Sequence, residues 1–408
     1  MATIGLCMIV KDEATIIARC IKSALPLVDF VLIVDTGSTD GTQEVIRNCL
    51  RQAGMPGEVI DEPWRNFAYN RTFALTKLRE HRAIDYALVN DADDQIVLDD
   101  GFDAAAFKDG MAADLYEVEI RHGPIKHHRP QILSNALSFS YRGVLHEFVE
   151  APPEAHSRET AAGFHILIGG GGARSQDPAK FVRDTATLER ALEREQNPFL
   201  ISRYTFYLAQ SYRDAGQTEQ ALVTYLKRPA LGFWDQEIFI SLLNAARLKE
   251  QLGHPEQAVL DAYMWASDAA PTRAEALHGA SRFCRAKSRF EEGYEFARRG
   301  VPLSVPPGAL FVEPWIYAYG LLDELAVNAY WAERYEDSLG ACERLLRENK
   351  LPADMRPRVT ENARYAAEKV TLQRSQSASI AEPAATGIRS NDKDTNHGCQ
   401  QQTVRSRP

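Results

Sequence analysis

Short apolar runs alternate with amphipathic helical patterns over the first 175 residues of the chain. Residues 4–10 and 30–34 are rich in Val, Ile and Leu, as strands buried on both faces of a sheet are. Between them, residues 13–25 repeat apolar side chains at helical spacing. The same reasoning predicts three further elements: helices over 41–51 and 66–80, and a strand over 86–90. Strands that alternate with helices in this way predict an α/β domain built on a parallel sheet.

From residue 177 onward the pattern is almost purely helical. Asp177-Pro178 is typical of a helix start, and residues 204–225 place small and aromatic side chains where the two helices of a tetratricopeptide unit pack. The packing positions are Leu208, Ala209, Tyr212, Ala221 and Tyr225. Weaker echoes follow, first near the expected repeat of about 34 residues and later at longer spacing, which the Pro-rich segment 301–308 partly explains. The sequence therefore predicts a short all-α solenoid of helical hairpins.

These patterns divide the chain into three regions. They are an α/β domain over 1–175, a tetratricopeptide-like helical repeat domain over 176–370, and a tail over 371–408. The tail is rich in Ser, Gln, Asn and Asp and has almost no large apolar residues, so we expect it to be disordered. With 408 residues, of which 45% are hydrophobic and 25% charged, the chain has the composition of an ordinary globular protein.

Charge and targeting signals narrow the class of protein. A formal net charge of −9 argues against general nucleic-acid binding. The six cysteines are scattered without a C-x-x-C pair, which predicts neither a zinc site nor a disulfide framework. The amino terminus lacks a basic leader, and no apolar run approaches the roughly 20 residues of a membrane helix. We therefore expect a cytoplasmic protein without a transmembrane segment.

Two carboxylates follow the strand predicted over 86–90. Side chains two apart on an extended chain point the same way, so Asp91 and Asp93 can share one target. Two converging anions need a cation or hydrogen-bond donors, and Mg²⁺ is commonly held by one or two carboxylates together with substrate phosphates. The alternative is an ordinary acidic turn. Asp94 would point to the opposite face, which favours a structural role for it.

A second polar segment, over 35–40, follows the strand at 30–34. Ligands of parallel sheets bind beyond the carboxyl ends of the strands, so one crevice can hold both polar segments. A turn with helix caps also explains 35–40, because Gly, Ser, Thr and Asp are the usual turn formers. We expect Ser38 and Asp40 to be caps.

Five motifs in order resemble an inverting family 2 glycosyltransferase with the GT-A fold. They are Leu6-Cys7-Met8-Ile9-Val10-Lys11-Asp12-Glu13, Val34-Asp35-Thr36-Gly37-Ser38-Thr39-Asp40-Gly41-Thr42, Asn66-Phe67-Ala68-Tyr69-Asn70-Arg71, Asn90-Asp91-Ala92-Asp93 and Tyr141-Arg142-Gly143-Val144-Leu145-His146-Glu147. With the helical repeats, the chain resembles the bacterial glycosyltransferases that carry tetratricopeptide repeats, over about residues 3–370. The resemblance implies a Rossmann-like nucleotide-diphospho-sugar transferase domain followed by the repeats.

The resemblance also implies which residues hold the donor. Val10, Glu13 and Asp35 would hold the base and ribose of a nucleotide sugar, most simply a UDP-sugar. A carboxylate suits this role because it accepts hydrogen bonds from a uracil imide or from ribose hydroxyls. Arg71 would lie beside the nucleotide, where a guanidinium fits phosphate oxygens or a carboxylate of the aspartate pair. The alternative for Arg71 is a solvated cation on an amphipathic helix.

For the aspartate pair, the resemblance implies two different roles. Asp91 would contact the ribose or a metal-bound water, and Asp93 would ligate a Mg²⁺ or Mn²⁺ ion that bridges both phosphates of the donor. Such an ion stabilises the charge of the leaving group as a Lewis acid. His165, on a predicted strand, is a possible further metal ligand, and the alternative is a histidine satisfied within the core.

An inverting transfer also needs a base that takes the proton of the acceptor. The family commonly uses an acidic dipeptide downstream of the aspartate pair, whereas this chain has His146-Glu147. We therefore expect Glu147 to be the base, with His146 as its neighbour or as the alternative base. The pair could instead simply close the edge of a strand.

Four consecutive glycines, Gly169 to Gly172, predict a loop, because glycine is costly in regular structure. The loop is either a hinge between domains or a lid over the nucleotide, with Arg174 contributing charge to the pyrophosphate. A lid would exclude water and so suppress hydrolysis of the donor.

The sequence thus predicts a metal-dependent, hexosyltransferase-like enzyme that moves a sugar from a nucleotide-sugar donor to an unidentified acceptor. That acceptor could be a glycan, a lipid or a protein. The helical repeats would bind the acceptor or a protein partner, since stacked repeats form a concave surface. One alternative is a catalytically weak, nucleotide-binding repeat scaffold for protein–protein interaction. A nucleotidyltransferase is a third hypothesis, although Lys11-Asp12-Glu13 stands where that class needs a Gly/Arg/Lys-rich loop.

Overall fold

The computed structural model describes residues 1–123, 125–174 and 176–381. They fall into two compact units. The first contains Met1–Ala276 with Pro306–Val312, and the second contains Leu277–Val305 with the chain from Glu313 onward. The first unit therefore holds the whole β-sheet and also the first helices of the repeat region.

Eight strands of the first unit form one sheet in the order β3-β2-β1-β4-β7-β6-β10-β5, and β8 and β9 form a separate hairpin. The strands are β1 (Ile4–Val10), β2 (Phe30–Asp35), β3 (Gly57–Asp61), β4 (Tyr86–Val89), β5 (Gln95–Leu98), β6 (Leu115–His122), β7 (Ile125–Ser134), β8 (Ser140–Arg142), β9 (Phe148–Glu150) and β10 (Arg158–Leu167). Strands β3, β2, β1 and β4 are parallel, while β7 is antiparallel to both β4 and β6.

The parallel part of the sheet is buried on both faces, as its apolar runs predict. Strand β1 alternates between two core clusters: Leu6 and Met8 belong to one, and Cys7 belongs to the other. In the register of the sheet, Val10 lies opposite Asp35, at the carboxyl ends of β1 and β2. The polar segments after β1, β2 and β4 consequently emerge at the same edge of the sheet.

Four helices accompany these strands. They are α1 (Ile17–Ala24), α2 (Thr42–Ala53), α3 (Phe67–Glu80) and α4 (Ala104–Asp109). The helix predicted over 66–80 is observed as α3, and its N-cap Asn66 accepts a hydrogen bond from the Tyr69 amide. The helix predicted over 13–25 is shorter, because residues 13–16 form turns before α1 begins. The sequence patterns did not indicate β3, β5, β6, β7 or α4, and the sheet that they predicted as parallel is mixed.

The repeat region of the first unit is helical. Its helices are α5 (Lys180–Leu192), α6 (Pro198–Asp214), α7 (Thr218–Lys227), α8 (Asp235–Gln251) and α9 (Glu256–Ala269), with a 3₁₀ turn at Arg228–Leu231. Each of these α-helices packs against the next. Ala209, Ala221 and Tyr225 are fully buried between helices, at the positions that the tetratricopeptide pattern predicts. The expected fold class, an α/β domain followed by tetratricopeptide-type helices, is confirmed.

Helix α10 (Glu275–Ala286) begins at the end of the first unit and belongs to the second unit from Leu277, where further helices follow. They are α11 (Phe290–Gly300), α12 (Leu321–Trp331), α13 (Tyr335–Glu348) and α14 (Arg356–Ala381), with a π turn at Ile316–Gly320 and a 3₁₀ turn at Ala353–Met355. Helix α14 extends past residue 370, so the start of the predicted tail is helical. The rest of the predicted tail, from residue 382, lies outside the described residues. None of the helices in the described ranges is both long and apolar enough to cross a membrane.

Candidate active site

The first part of the site is the edge where β1 and β2 end. The carbonyl of Val10 accepts hydrogen bonds from the amide and hydroxyl of Thr36. Asp35 is 1% exposed, and its Oδ1 accepts from the amides of Gly37 and Ser38 at 2.9 and 2.8 Å. Its Oδ2 is also buried, and no group of the described residues hydrogen-bonds to it. A buried carboxylate oxygen without a donor is costly unless a ligand supplies one.

We expected Ser38 and Asp40 to be caps, but the N-cap of α2 is Gly41, without a side-chain cap hydrogen bond. Ser38 and Asp40 instead bind the loop after β1 and the first amide of the helix. The hydroxyl of Ser38 accepts from the Asp12 amide, and Asp40 accepts from the amides of Ala14 and Thr42. Asp12 has a φ of 56°, which is uncommon for a residue other than glycine. The segment after β2 thus holds the loop after β1 in a fixed conformation, which orients the next residue, Glu13.

Arg71 joins two of the candidate carboxylates. Its Nη2 donates to Oδ1 of Asp91 at 2.5 Å, and its Nε donates to Oε1 of Glu147 at 2.7 Å. The side chains of Arg71 and Glu147 are only 11% and 12% exposed, whereas that of Asp91 is 43% exposed. The Arg71 guanidinium also lies 5.6 Å from the centroid of the Tyr141 ring. Arg71 therefore fixes Glu147 beside the strand end that carries the aspartate pair.

The charge of Arg71 also sets the protonation of Asp91. Burial on its own would raise the pKa of Asp91, but the charge and hydrogen bond of Arg71 lower it below the usual value. The pKa of Arg71 is in turn raised by Asp91 and Glu147, which outweigh the effect of its burial. Both partners are therefore held in their charged forms.

Three other carboxylates at this edge lack such a partner and are harder to ionise. Burial, with the charges of Asp93 and Asp40 among the further causes, raises the pKa of Glu13 to about 7. Burial and then Asp91 raise the pKa of Asp93. Burial, Asp91 and Asp93 raise the pKa of Asp94 to about 7. Asp94, which the sequence assigned to a structural role, therefore belongs to the same charge cluster.

The glycine-rich loop packs directly on this cluster. The amide of Ala173 donates to both carboxylate oxygens of Glu13 at 3.2 Å. A Cβ on Gly169 would lie 2.1 Å from the Asp93 carbonyl oxygen, and one on Gly172 would lie 3.1 Å from Oδ2 of Asp93. At these two positions, the close approach of the backbone leaves little or no room for a side chain. The loop thus contacts the residues that the sequence predicts for donor and metal binding.

The side chain of Arg174, at the end of this loop, contacts two residues of this chain. It pairs with Asp184 of α5 at 2.5 Å, and its guanidinium lies 4.9 Å from the centroid of the Phe67 ring at the start of α3. These contacts connect the loop to both a helix of the sheet domain and a helix of the repeat region.

Glu147 and His146 lie in the loop of the β8–β9 hairpin, and α6 supports that loop. Leu145 is buried in a cluster with Leu188 of α5 and with Leu200, Tyr204 and Leu208 of α6. The Tyr204 hydroxyl accepts a hydrogen bond from the Val144 amide at 3.2 Å. A helix of the repeat region therefore forms part of the wall of the candidate active site.

His146 is held by the same helix. Its ring stacks on Tyr207 with centroids 3.8 Å apart and an interplanar angle of 8°, and its carbonyl accepts from Arg203 at 2.8 Å. His146 has a φ of 51°, an uncommon backbone conformation that these contacts maintain. Burial, and then Arg203 and Arg174, lower the pKa of His146 to about 4, so the imidazole is neutral near pH 7.

The donor atoms at the strand ends suit a hard divalent cation. Glu13, Asp91, Asp93 and Asp94 supply only oxygen, and three of them have raised pKa values because of burial first and of the neighbouring carboxylates second. Mg²⁺ typically uses one or two such carboxylates and completes its shell with water and substrate phosphates. In the described ranges, no three ligating side chains already surround one point.

His165 is not brought together with these carboxylates. It lies on β10 opposite Val97 of β5. Its Nε2 is 3.3 Å from Nη1 of Arg121, and its Nδ1 is 3.8 Å from Oδ1 of Asp99. Of the residues that the sequence singled out, those after β1, β2 and β4 and those of the β8–β9 loop converge, and His165 stands apart with other partners.

Sequence reasoning missed several residues of the site. Arg203 and Tyr207 are four positions apart and so lie on one face of α6, a spacing that could have indicated a joint role. Arg19 of α1 donates to the Asp93 carbonyl at 3.1 Å, and no local pattern indicated this contact.

Comparisons with known proteins find a family and relatives that match parts of this chain. Residues 6–100 match the family described as glycosyl transferase family 2. A stretch of 68 residues is 38% identical to the lipopolysaccharide core biosynthesis glycosyltransferase LpsC of Rhizobium meliloti, and covers 17% of this chain and 24% of that protein. Another comparison finds 28% identity over 155 residues with a TPR repeat-containing protein of Synechococcus elongatus, covering 37% of this chain and 36% of that protein.

The chain therefore spans well under two thirds of the length of both relatives. Among solved structures, a tetratricopeptide repeat protein from Parabacteroides merdae aligns with a TM-score of 0.34 at 17% identity, covering 50% of this chain and 72% of that one. This structural likeness is too weak to carry an argument.

Proposed function

Because residues 6–100 of this chain form a glycosyl transferase family 2 domain, we propose that the protein transfers a sugar from a nucleotide-sugar donor by an inverting single displacement. A UDP-sugar is the first choice of donor. The unpartnered, buried Oδ2 of Asp35 supports this choice, because the imide N–H of a uracil or a ribose hydroxyl would supply its missing hydrogen bond. The cytoplasmic location expected from the sequence stays a prediction.

The observation that carries the proposal is the double contact of Arg71. One guanidinium holds Asp91, at the end of β4, and Glu147, 56 positions further along the chain. A base for an inverting transfer has to lie next to the donor site and keep a fixed position. Arg71 supplies both conditions for Glu147.

In the proposed reaction, Glu147 accepts the proton of an acceptor hydroxyl as the hydroxyl oxygen attacks the anomeric carbon. A new C–O bond forms on the face opposite the leaving group, and the bond to the nucleoside diphosphate breaks with its electron pair on the diphosphate oxygen. At the end of this step Glu147 is the neutral carboxylic acid. His146 is neutral near pH 7, so it brings no charge to the site and is the alternative proton acceptor.

Asp93, with Asp91 and Glu13 beside it, would hold a Mg²⁺ or Mn²⁺ ion. When bound, the ion supplies Lewis-acid stabilisation of the diphosphate. The loop Gly169 to Gly172 covers Asp93, so this chain can exclude water from the cluster by keeping that loop in place.

A donor screen tests the proposal. The full chain is incubated with UDP-, GDP- and TDP-sugars and Mn²⁺ or Mg²⁺, and the release of nucleoside diphosphate is followed with and without a cell-extract acceptor fraction. We expect turnover with one nucleotide class, and a loss of at least about 100-fold in Glu147→Gln with donor binding retained. The matched control is Glu150→Gln on the same hairpin, whose side chain is 45% exposed.

Three results would contradict parts of the proposal. Full activity in Glu147→Gln would move the role of base to another residue. Turnover that survives chelation would exclude the role of the metal. Nucleotide binding without turnover, for every donor and acceptor fraction, would favour the repeat scaffold instead.

A further inference from the structure

A run of aromatic rings begins next to Glu147 and continues onto α6 and the start of α8. Phe148 packs edge-on against Phe199 with ring centroids 5.5 Å apart, and Phe199 packs in the same way against Phe233 at 5.5 Å. The exposed fractions of Phe199, Phe233 and Trp234 are 36%, 53% and 45%. We call Phe148, Phe199, Phe233 and Trp234 the aromatic ledge.

Buried charges hold the outer part of the ledge in place. Phe233 has a φ of 67°, a rare conformation for a bulky residue. Arg228 is fully buried and donates to the carbonyl of Gly232 at 2.7 Å and to Glu237 at 2.8 Å. Such strained positions persist only where the surroundings enforce them, and they cluster at functional sites. The exposure of Phe233 is therefore built into the fold.

The carboxylate of Glu237 also connects the ledge to the β8–β9 hairpin. Glu237 lies 3.6 Å from Arg203, whose guanidinium donates to the carbonyl of His146. That guanidinium also lies 5.2 Å from the ring centroid of Phe148 and 4.9 Å from that of Tyr207. The buried pair under Phe233 and the backbone next to Glu147 thus belong to one connected network.

From this continuity we infer that the aromatic ledge is the acceptor subsite and that it takes a saccharide, with pyranose rings lying against the exposed aromatic faces. The inference rests on the proposed function and adds the chemical class of the acceptor. The C–H groups of a pyranose face carry slight positive charge, and they pack well on the negative face of an aromatic ring. Phe148 directly follows Glu147 in the chain, so a sugar seated on the ledge would lie on the hairpin that carries the proposed base.

The size of the ledge favours a saccharide over a protein. An aromatic side chain has about 200 Å² of surface, so the exposed fractions of Phe199, Phe233 and Trp234 together correspond to about 270 Å² of accessible surface. A stable protein interface buries about 800 Å² on each partner. Two or three sugar rings match the smaller area.

Saturation-transfer NMR tests the inference without a donor. The probes are methyl β-D-glucopyranoside, methyl β-D-galactopyranoside, methyl α-D-mannopyranoside, methyl L-glycero-α-D-manno-heptopyranoside and maltohexaose, each at millimolar concentration with the full chain. We expect C–H signals from at least one probe, a decrease of at least fivefold in Phe199→Ala and in Phe233→Ala, and recovery in Phe233→Tyr. Trp265→Ala is the matched control, since Trp265 is 49% exposed on α9 and outside the ledge.

Three outcomes overturn the inference. The ledge is not a saccharide site if no probe shows transfer, or if Phe233→Ala and Trp265→Ala behave alike. A mass by light scattering that falls from dimer to monomer in Phe233→Ala would make the ledge an interface between two copies. Should Phe233→Ala misfold by circular dichroism, Phe199→Ala and Phe233→Tyr still decide. A failed donor screen together with saccharide binding at the ledge would reject the proposed reaction and keep the binding site.

Discussion

Replacing Arg71 by methionine removes the cation that both Asp91 and Glu147 contact, while most of the side-chain volume is kept. The Arg71–Glu147 half of this network is nearly buried, with side-chain exposures of 11% and 12%, and the Asp91 half is partly exposed at 43%. Breaking a buried ion pair by removal of one partner costs about 3–5 kcal/mol, because an uncompensated charge remains. Exposed pairs contribute only about 0.2–1 kcal/mol.

We therefore expect Arg71→Met to lower the free energy of unfolding by about 3–4 kcal/mol, most of it through Glu147. The double variants separate the two halves. Arg71→Met with Glu147→Gln leaves no buried charge at that position and should recover most of the loss, whereas Arg71→Met with Asp91→Asn should recover less than about 1 kcal/mol.

The measurement is urea unfolding of the full chain at pH 7, followed by far-UV circular dichroism and tryptophan fluorescence, with the slopes of the transitions compared among variants. Arg142→Met is the matched control. Arg142 pairs with Glu150 at 2.8 Å on the same hairpin, but both side chains are more exposed, at 35% and 45%, so the expected loss is below about 1 kcal/mol. Equal recovery by the two double variants, or equal losses for Arg71→Met and Arg142→Met, would refute the reasoning.

The pH dependence gives a second check on the same variant. Arg71 lowers the folded-state pKa of Asp91, so this interaction stabilises the protein above the unfolded pKa of about 3.9. The contribution is lost as the pH falls through the lower, folded-state pKa. The part of the deficit of Arg71→Met that arises from Asp91 should therefore shrink below about pH 4.

Three further predictions concern the carboxylate cluster and its loop. The folded-state pKa of Glu13 is raised to about 7, so its ionisation costs stability as the pH rises from the unfolded value toward 7. The free energy of unfolding of Glu13→Gln should therefore exceed that of the parent by about 1–3 kcal/mol at pH 8 and equal it at pH 4. A parent that is as stable as the variant at pH 8 would contradict this. Gly169→Ala places a Cβ 2.1 Å from the Asp93 carbonyl oxygen and should lower the rate of transfer at least about tenfold. Gly170→Ala is the control, because a Cβ there meets nothing within 4 Å. Equal activity of the two variants would show that the loop tolerates displacement. Asp93→Ala should abolish stimulation of transfer by Mn²⁺ across a titration, and unchanged stimulation would place the ion elsewhere.

Local sequence signals were sufficient for strands β1, β2 and β4 and for the polar residues that follow them. The strand over 4–10 is seen at its predicted bounds, because a run of large apolar residues has to be buried whatever surrounds it. Strand β3 was missed, since its sequence Gly-Glu-Val-Ile-Asp is short and mostly polar, and pairing with β2 is what makes it a strand.

Contacts between distant positions needed the tertiary structure. Arg71 and Glu147 are 76 positions apart, and a motif gives no direction for the guanidinium of a helical residue. The contact of the glycine loop with the carboxylate cluster also needed the fold, which brings Ala173 to Glu13, 160 positions earlier. For His165, the sequence predicted a strand but no register, and register is what sets it beside Asp99 and Arg121.

The sequence by itself determined the alternation of the first strands and helices, the polar strand ends and the helical repeats, because burial of apolar side chains at periods of two and 3.6 residues is a local requirement. The tertiary structure alone decided that α6 of the repeat region supports the His146–Glu147 loop, that one arginine joins two carboxylates, and that Phe233 is held exposed next to them. These features arise from charges and rings that are distant in sequence, and their energies depend on burial that exists only once the chain has folded.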